Sequence, residues 1–426
     1  MQKKLIALAV AGLASGAAFA QTNVTIYGVA DATFESASAT GAAGAPHSSA
    51  TGNDLDRGAF TRVNTNSSLI GFKGEEALGN GLKAIFQFES VASFDSAGAL
   101  SLARDSFVGL GSDKFGTVKL GNLTTPTRAL GAAVDMNAGA TGPGANASLI
   151  GKVLGGNAII AGTSIRTVAG GGYAIDDVYN NGAAGYNSGF FDTRMTNAIA
   201  YASPVWSGFQ VGAAYKAGED KSLNSNDNTA RKVNTYGYDL GATYTNGPIF
   251  AGLTYGKVNS QRDRTYYSGC AASAPAATIS CAADESSIWR LAGKYTFNGG
   301  HQIAALYEQN RADLNWAADD HSSIKQRTWG IGGKFMATPA LALIGQYYKQ
   351  NDAQISNNDP DGDTSAHLWE LGLEYSLSKR TMLKASYSQL NNGADVANDF
   401  NVGAVGGGFG VGSKLQVWSA GIRHTF

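Results

Sequence analysis

From Val24 to the carboxyl terminus the chain repeatedly alternates apolar and polar residues with a period of two, not the 3.6 of a helix. In His367 to Tyr375, Trp369, Leu371, Leu373 and Tyr375 share one face while Glu370, Gly372 and Glu374 share the other. Leu82, Ala84, Phe86 and Phe88 alternate with Lys83, Gln87 and Glu89, although Ile85 falls on the polar side. Trp289, Leu291 and Tyr295 oppose Arg290 and Lys294, and Phe209, Val211 and Tyr215 oppose Gln210 and Lys216. Such segments predict strands with one apolar and one wetted face.

Sixteen segments of this kind begin near Val24, Thr61, Leu82, Leu102, Gly116, Arg194, Gly208, Lys232, Pro248, Ser286, Gly300, Ile324, Ala340, Ala366, Arg380 and Lys414. The gaps alternate in length. Seven are short and rich in Gly, Pro, Asn or Ser, from Gly74 to Gly81 at the first to Ser376 to Lys379 at the last. Eight are mostly long, and the longest, Pro126 to Thr193, has 68 residues. Connections beyond ~12–15 residues are usually functional. Turns at one rim and loops at the other predict a closed, even-stranded antiparallel β-barrel.

A soluble sandwich also alternates polarity, but three features favour a transmembrane barrel. The segments are long enough to cross a hydrocarbon layer at a tilt, whereas soluble strands average about five or six residues. Tyrosines near segment ends (Tyr27, Tyr201, Tyr215, Tyr244, Tyr255, Tyr295, Tyr347, Tyr375 and Tyr387) are expected to form interfacial girdles. The chain also stops on a strand, with Trp418, Ala420, Ile422, His424 and Phe426 on one face, so Phe426 is expected to serve as an assembly signal.

Composition agrees. Gly supplies 56 of 426 residues, nearly twice the ~7% of average usage, and charged residues are 15% against the usual ~25%. No run of eighteen apolar residues occurs, which excludes a membrane-spanning helix. Lys3 and Lys4, the apolar stretch Leu5 to Leu13 and the small-x-small Ala18-Phe19-Ala20 predict an export signal over residues 1–20, cleaved after Ala20, with the barrel over 21–426. Without Lys3 and Lys4, 30 basic residues face 33 acidic ones, which gives no field for nucleic acid. Cys270 and Cys281, in an exported chain, are expected to close a loop as a disulfide.

Several fragments together resemble the Gram-negative trimeric general porins, particularly the β-proteobacterial branch. They are Val24-Thr25-Ile26-Tyr27-Gly28-Val29-Ala30-Asp31, Gly71-Phe72-Lys73-Gly74-Glu75-Glu76 with Leu78-Gly79-Asn80-Gly81-Leu82-Lys83-Ala84, Phe107-Val108-Gly109-Leu110, Phe115-Gly116-Thr117-Val118 with Leu120-Gly121, Tyr201-Ala202-Ser203-Pro204 with Gly208-Phe209, and Gly421-Ile422-Arg423-His424-Thr425-Phe426. The resemblance implies sixteen strands with short periplasmic turns and long extracellular loops, a homotrimer, and a third loop folded inward. It implies arginines in strands four and six, matched by Arg104 and Arg194; two other family arginine positions hold Leu69 and Asn122. Lys119, on the parity opposite Val118 and Leu120, is expected to restore one positive charge to the lumen.

The function expected is a water-filled outer-membrane channel for ions and small hydrophilic solutes, requiring no cofactor. Its constriction is expected to set Arg104, Lys119 and Arg194 against Asp135, Asp176, Asp177 and Asp192 of the long loop, giving a transverse field. Expected partners are two further copies, outer-membrane lipid and lipopolysaccharide, and the barrel-assembly machinery. The alternatives are a plugged adhesive barrel or an outer-membrane hydrolase, for which no Ser/His/acid group can be assembled. Asp359, Asp361, Asp363 and Glu370 mimic a calcium loop, but Thr364 stands where its turn needs Gly. Ser376 and Lys379 spell S-x-x-K without its companion motifs.

Overall fold

The computed structural model describes residues 23–42, 56–96, 100–153, 191–218, 234–261, 283–315, 321–355, 363–394, 396–406 and 409–426. They form one antiparallel sheet closed on itself. The staves are β1 (Asn23–Thr40), β2 (Arg57–Asn64 and Leu69–Gly79), β3 (Leu82–Val91), β4 (Ser106–Ser112), β5 (Gly116–Thr124), β6 (Arg194–Ala202), β7 (Phe209–Lys216) and β8 (Asn234–Asn246). The others are β9 (Ile249–Gln261), β10 (Ala283–Thr296), β11 (Gln302–Asn315), β12 (His321–Met336), β13 (Leu341–Gln350), β14 (Ala366–Ser376), β15 (Thr381–Asn392) and β16 (Lys414–Thr425). Gln354–Ile355 pairs with β12 beyond the end of β13.

These sixteen staves answer to the sixteen alternating segments. Closure joins β1 to β16, from Val29 opposite Thr425 to Thr40 opposite Lys414. Gly28 and Phe426 exchange backbone hydrogen bonds of 3.0 and 3.1 Å, and a Cβ on Gly28 would lie 2.4 Å from the Phe426 ring, so glycine admits the terminal aromatic. The first turn is tighter than Gly74 to Gly81. Strand β2 runs on to Gly79, and positive φ angles at Gly79, Asn80 and Gly81 reverse the chain in a step only such residues take easily.

Alternation separates two solvents. Leu291, Ile303 and Ile331 point outward and are 51–57% exposed, while Arg290, Glu308 and Gln326 on the same three staves point inward and are fully buried. An outward apolar surface of this extent belongs against lipid. Trp289 with Tyr307, Trp369 with Tyr387, and Tyr387 with Trp418 (centroids 5.2, 5.1 and 4.4 Å apart) make an aromatic belt toward the loop rim. Phe209 with Tyr244 and Tyr295 with Phe297 (4.4 and 4.7 Å) lie near the turns. Tyr27 is no part of either belt: its hydroxyl donates to Glu89 Oε1 at 2.8 Å inside the barrel, because its parity is opposite that of Val24 and Ile26.

Candidate functional site

The connection after β5 enters the lumen. Helix α1 (Pro126–Ala133) starts where Thr125 Oγ1 accepts the Arg128 N–H at 3.2 Å and Pro126 occupies the first turn. Asp239 of β8 accepts both the N–H and the hydroxyl of Thr127 at 3.0 Å, a carboxylate at the helix's positive end. The helix lies against the wall because that wall carries glycine. A Cβ on Gly241 would come within 2.7 Å of Pro126, and one on Gly252 within 2.6 Å of Leu130. Holding the helix over Gly252→Leu would cost about 1–3 kcal/mol in overpacking. The helix is therefore expected to yield into the open passage and to lower single-channel conductance, whereas Gly293→Ala on the outer face should leave it unchanged.

Beyond α1 the loop crosses the lumen. Met136 N–H donates to Gln346 Oε1 at 3.2 Å, Asn137 Nδ2 to Glu370 Oε2 at 2.6 Å, Ala138 N–H to Glu374 Oε1 at 2.9 Å, and Thr141 Oγ1 to Ser67 Oγ at 2.8 Å. The described part of the third loop thus reaches from β8 to the break in β2. On its return Gly151 N–H donates to Glu308 Oε1 at 2.6 Å. There the fully buried Arg290 donates Nε to Glu308 Oε2 at 2.7 Å and Nη1 to Asp192 Oδ1 at 2.9 Å and to the Thr127 carbonyl at 2.7 Å. Removing one partner of such a buried pair typically costs 3–5 kcal/mol.

The residues expected to form a basic wall are placed as follows. Arg194 opens β6 and places Nε 3.3 Å from Asp105 Oδ2. Arg104 lies two residues ahead of β4 rather than in it, with Nε 3.5 Å from Glu89 Oε2. The ladder stops short there because Asp105 Oδ1 takes the Thr124 N–H at 2.5 Å and Asn122 Nδ2 donates to the Arg104 carbonyl at 3.0 Å. Arg128 of α1, not foreseen, joins them with Nη1 3.7 Å from Asp192 Oδ2. Burial and then Arg194 lower the Arg104 pKa; burial lowers that of Arg128, where Asp192 opposes the shift and Arg194 adds to it. Lys119 faces inward with Nζ 4.4 Å from the Phe107 ring centroid.

The acidic side departs further from expectation. Asp135 does not face the arginines: it is half-buried, accepting the N–H groups of Asn146 and Asn137 at 2.7 and 2.8 Å, and desolvation pushes its pKa up to about 7. Asp192 is neutralised by Arg290 and Arg128. Asp176 and Asp177 lie outside the described residues, as do Cys270, Cys281, Asp359 and Asp361. Glu370 is bound to Asn137 and Gln346, and among the described residues no cluster of three His, Cys, Asp or Glu is placed to hold a metal. Glu89 and Asp105 were legible in part, since parity points Glu89 inward and Asp105 adjoins Arg104. A second cluster joins Asp31 to Lys384 and Arg423 at 2.6 and 2.9 Å, and Glu35 to Arg62 at 2.8 Å.

Loop 8, between β15 and β16, also turns inward. Phe400, Val405, Phe409 and Val411 pack with Leu149 and Ile150 of the third loop and with inward-facing Ala37, Ala39, Leu368, Leu390, Leu415 and Val417. Arg57 donates to the carbonyls of Val405 and Gly406, Arg62 to those of Gly403 and Ala404, and Asn401 N–H to Ser148 Oγ at 3.1 Å. Asp399 accepts the N–H groups of Phe400, Val405 and Gly406 at 2.7–2.9 Å.

A barrel with a lipid-facing apolar exterior, a polar interior and a loop strung across that interior has the form of a diffusion channel. A family profile of the Gram-negative porins matches residues 7–395. The chain belongs to the Gram-negative porin family. It is 28% identical to the outer membrane porin protein 32 of Delftia acidovorans, and 25% identical to the major outer membrane protein P.IB of Neisseria lactamica, each over the whole of both chains. Its fold is similar to that of an anion-selective porin from Comamonas acidovorans, with a TM-score of 0.65, 22% identity, and 95% of this chain and 100% of that one covered. This porin is accordingly an outer-membrane protein that forms a channel.

Proposed function

We propose that this porin is a homotrimeric channel for small hydrophilic solutes with a modest preference for anions, its constriction bounded by Arg104, Arg128, Arg194 and Lys119. What carries the reading is the balance of charge at the third loop. Each of the three arginines has a carboxylate within 4 Å, Glu89, Asp192 or Asp105, and is largely neutralised. Lys119 has an aromatic neighbour, and among the described residues no ion-pair partner. A small positive excess in a confined aqueous passage favours anions without excluding cations. Export by residues 1–20, a Cys270 to Cys281 disulfide, assembly through Phe426 and a surround of lipopolysaccharide belong to the same proposal. Purified protein in a planar bilayer should give stepwise conductance and, in a KCl gradient, a reversal potential displaced slightly toward that of chloride. No steps would sink the channel reading, and a potassium-preferring potential would sink the assignment of the constriction.

A further inference from the structure

Between helix α1 and the inner faces of the neighbouring staves lies a cavity of about 480 Å³, inside the ~300–1,000 Å³ range of small-molecule sites. One side is apolar, formed by Ala129 and Leu130 of the helix with Phe107 and Phe250 of the wall. Lys119 lines it as well, its ammonium resting over the Phe107 ring. The carboxylate that also lines it, Asp105, is already taken by Arg194 Nε and by the N–H and hydroxyl of Thr124, so it does not neutralise Lys119. Thr254 completes the lining: it is 2% exposed, and its Oγ1 has no hydrogen-bond partner among the described residues. A buried hydroxyl left unpaired in a polar barrel is a costly feature unless something visits it.

We propose that this cavity is a solute subsite for small aromatic carboxylates, the carboxylate held by Lys119, the ring by the α1 and phenylalanine side, and a ring hydroxyl by Thr254. Charge alone would be served by any anion, and an apolar pocket alone by any neutral ring. A lone cation set at the margin of an apolar cavity selects molecules that carry both. The third loop builds the site by seating α1, so the helix that narrows the channel also makes a resting place beside it. This inference rests on the lumen conducting solutes.

The test uses the reconstituted full-length porin in KCl, with benzoate, 4-hydroxybenzoate, acetate and benzamide added in turn, and reads the concentration at which each interrupts the chloride current. Benzoate should act at about tenfold lower concentration than acetate or benzamide, in line with what a hydrophobic pocket contributes to discrimination. The ratio of benzoate to acetate sensitivity should collapse toward one in Lys119→Gln and in Ala129→Trp, which fills the cavity. Because the ratio is taken within each variant, basal conductance does not enter it. 4-Hydroxybenzoate should act at lower concentration than benzoate, and Thr254→Val should abolish that difference alone. A channel that conducts KCl but responds equally to benzoate and acetate, or an Ala129→Trp channel that keeps the benzoate preference, would overturn the subsite while leaving the channel reading standing. Failure to conduct at all would instead overturn the reading beneath it.

Discussion

Replacing residues 395–411 with a short turn should raise single-channel conductance about twofold, because loop 8 occupies passage that would otherwise hold water and ions. The excision is geometrically mild, since the Asn392 N–H already bonds to the Ser413 carbonyl at 3.2 Å and holds the two ends together. The inner face beneath the loop argues for a built-in plug. Leu368, Leu390, Leu415 and Val417 point into the lumen and are fully buried, whereas a wetted wall would carry polar residues there. These side chains and loop 8 bury one another, and Arg57 and Arg62 of β2 bind the loop's carbonyls. Single-channel recordings of the shortened protein decide the matter. An unchanged conductance from a properly inserted barrel would place loop 8 outside the conducting path.

The second large effect is expected from charge reversal at the start of β6. Arg194→Glu would set a carboxylate beside Asp105, which lies 3.3 Å from the Arg194 guanidinium, and would turn a neutral pair into two adjacent negative charges. Two unit charges at ~4 Å interact by about 1 kcal/mol in water and several-fold more at a confined protein surface, so the nearest ions must respond. The reversal potential in a KCl gradient should move from slightly chloride-preferring to potassium-preferring. Arg128→Glu should act in the same direction with a smaller shift, since it also releases Asp192, which Arg290 retains. A potential unmoved in Arg194→Glu would place that residue away from the constriction.

The barrel was legible because its cause is local. A side chain's face in a strand follows from the parity of its position, and one face against lipid demands an apolar residue at every second place. Trp369, Leu371 and Leu373 therefore declared their outward face, Lys119 and Arg194 declared their inward one, and even Ile85, out of pattern, packs inside against the Phe107 cluster. Alternating gap lengths were enough to count sixteen staves. Tyr27 was misjudged only where its aromatic character was weighed above its parity.

The contacts that hold the inward loops were not legible, because they join residues far apart in the chain. Asp192 meets Arg290 across 98 positions, Asn137 meets Glu370 across 233, and Arg62 meets the Gly403 carbonyl across 341. No period or motif announces such pairs; they depend on which staves closure sets side by side and on where glycine lets a loop approach. An aspartate in a long loop reads the same in sequence whether it faces water, as expected of Asp135, or lies half-buried under backbone N–H groups, as it does. The sequence by itself therefore determined the membrane barrel and the inward faces of its wall. Only the tertiary structure decided which inward charges stay free, because a charge is neutralised by the neighbours that folding brings to it.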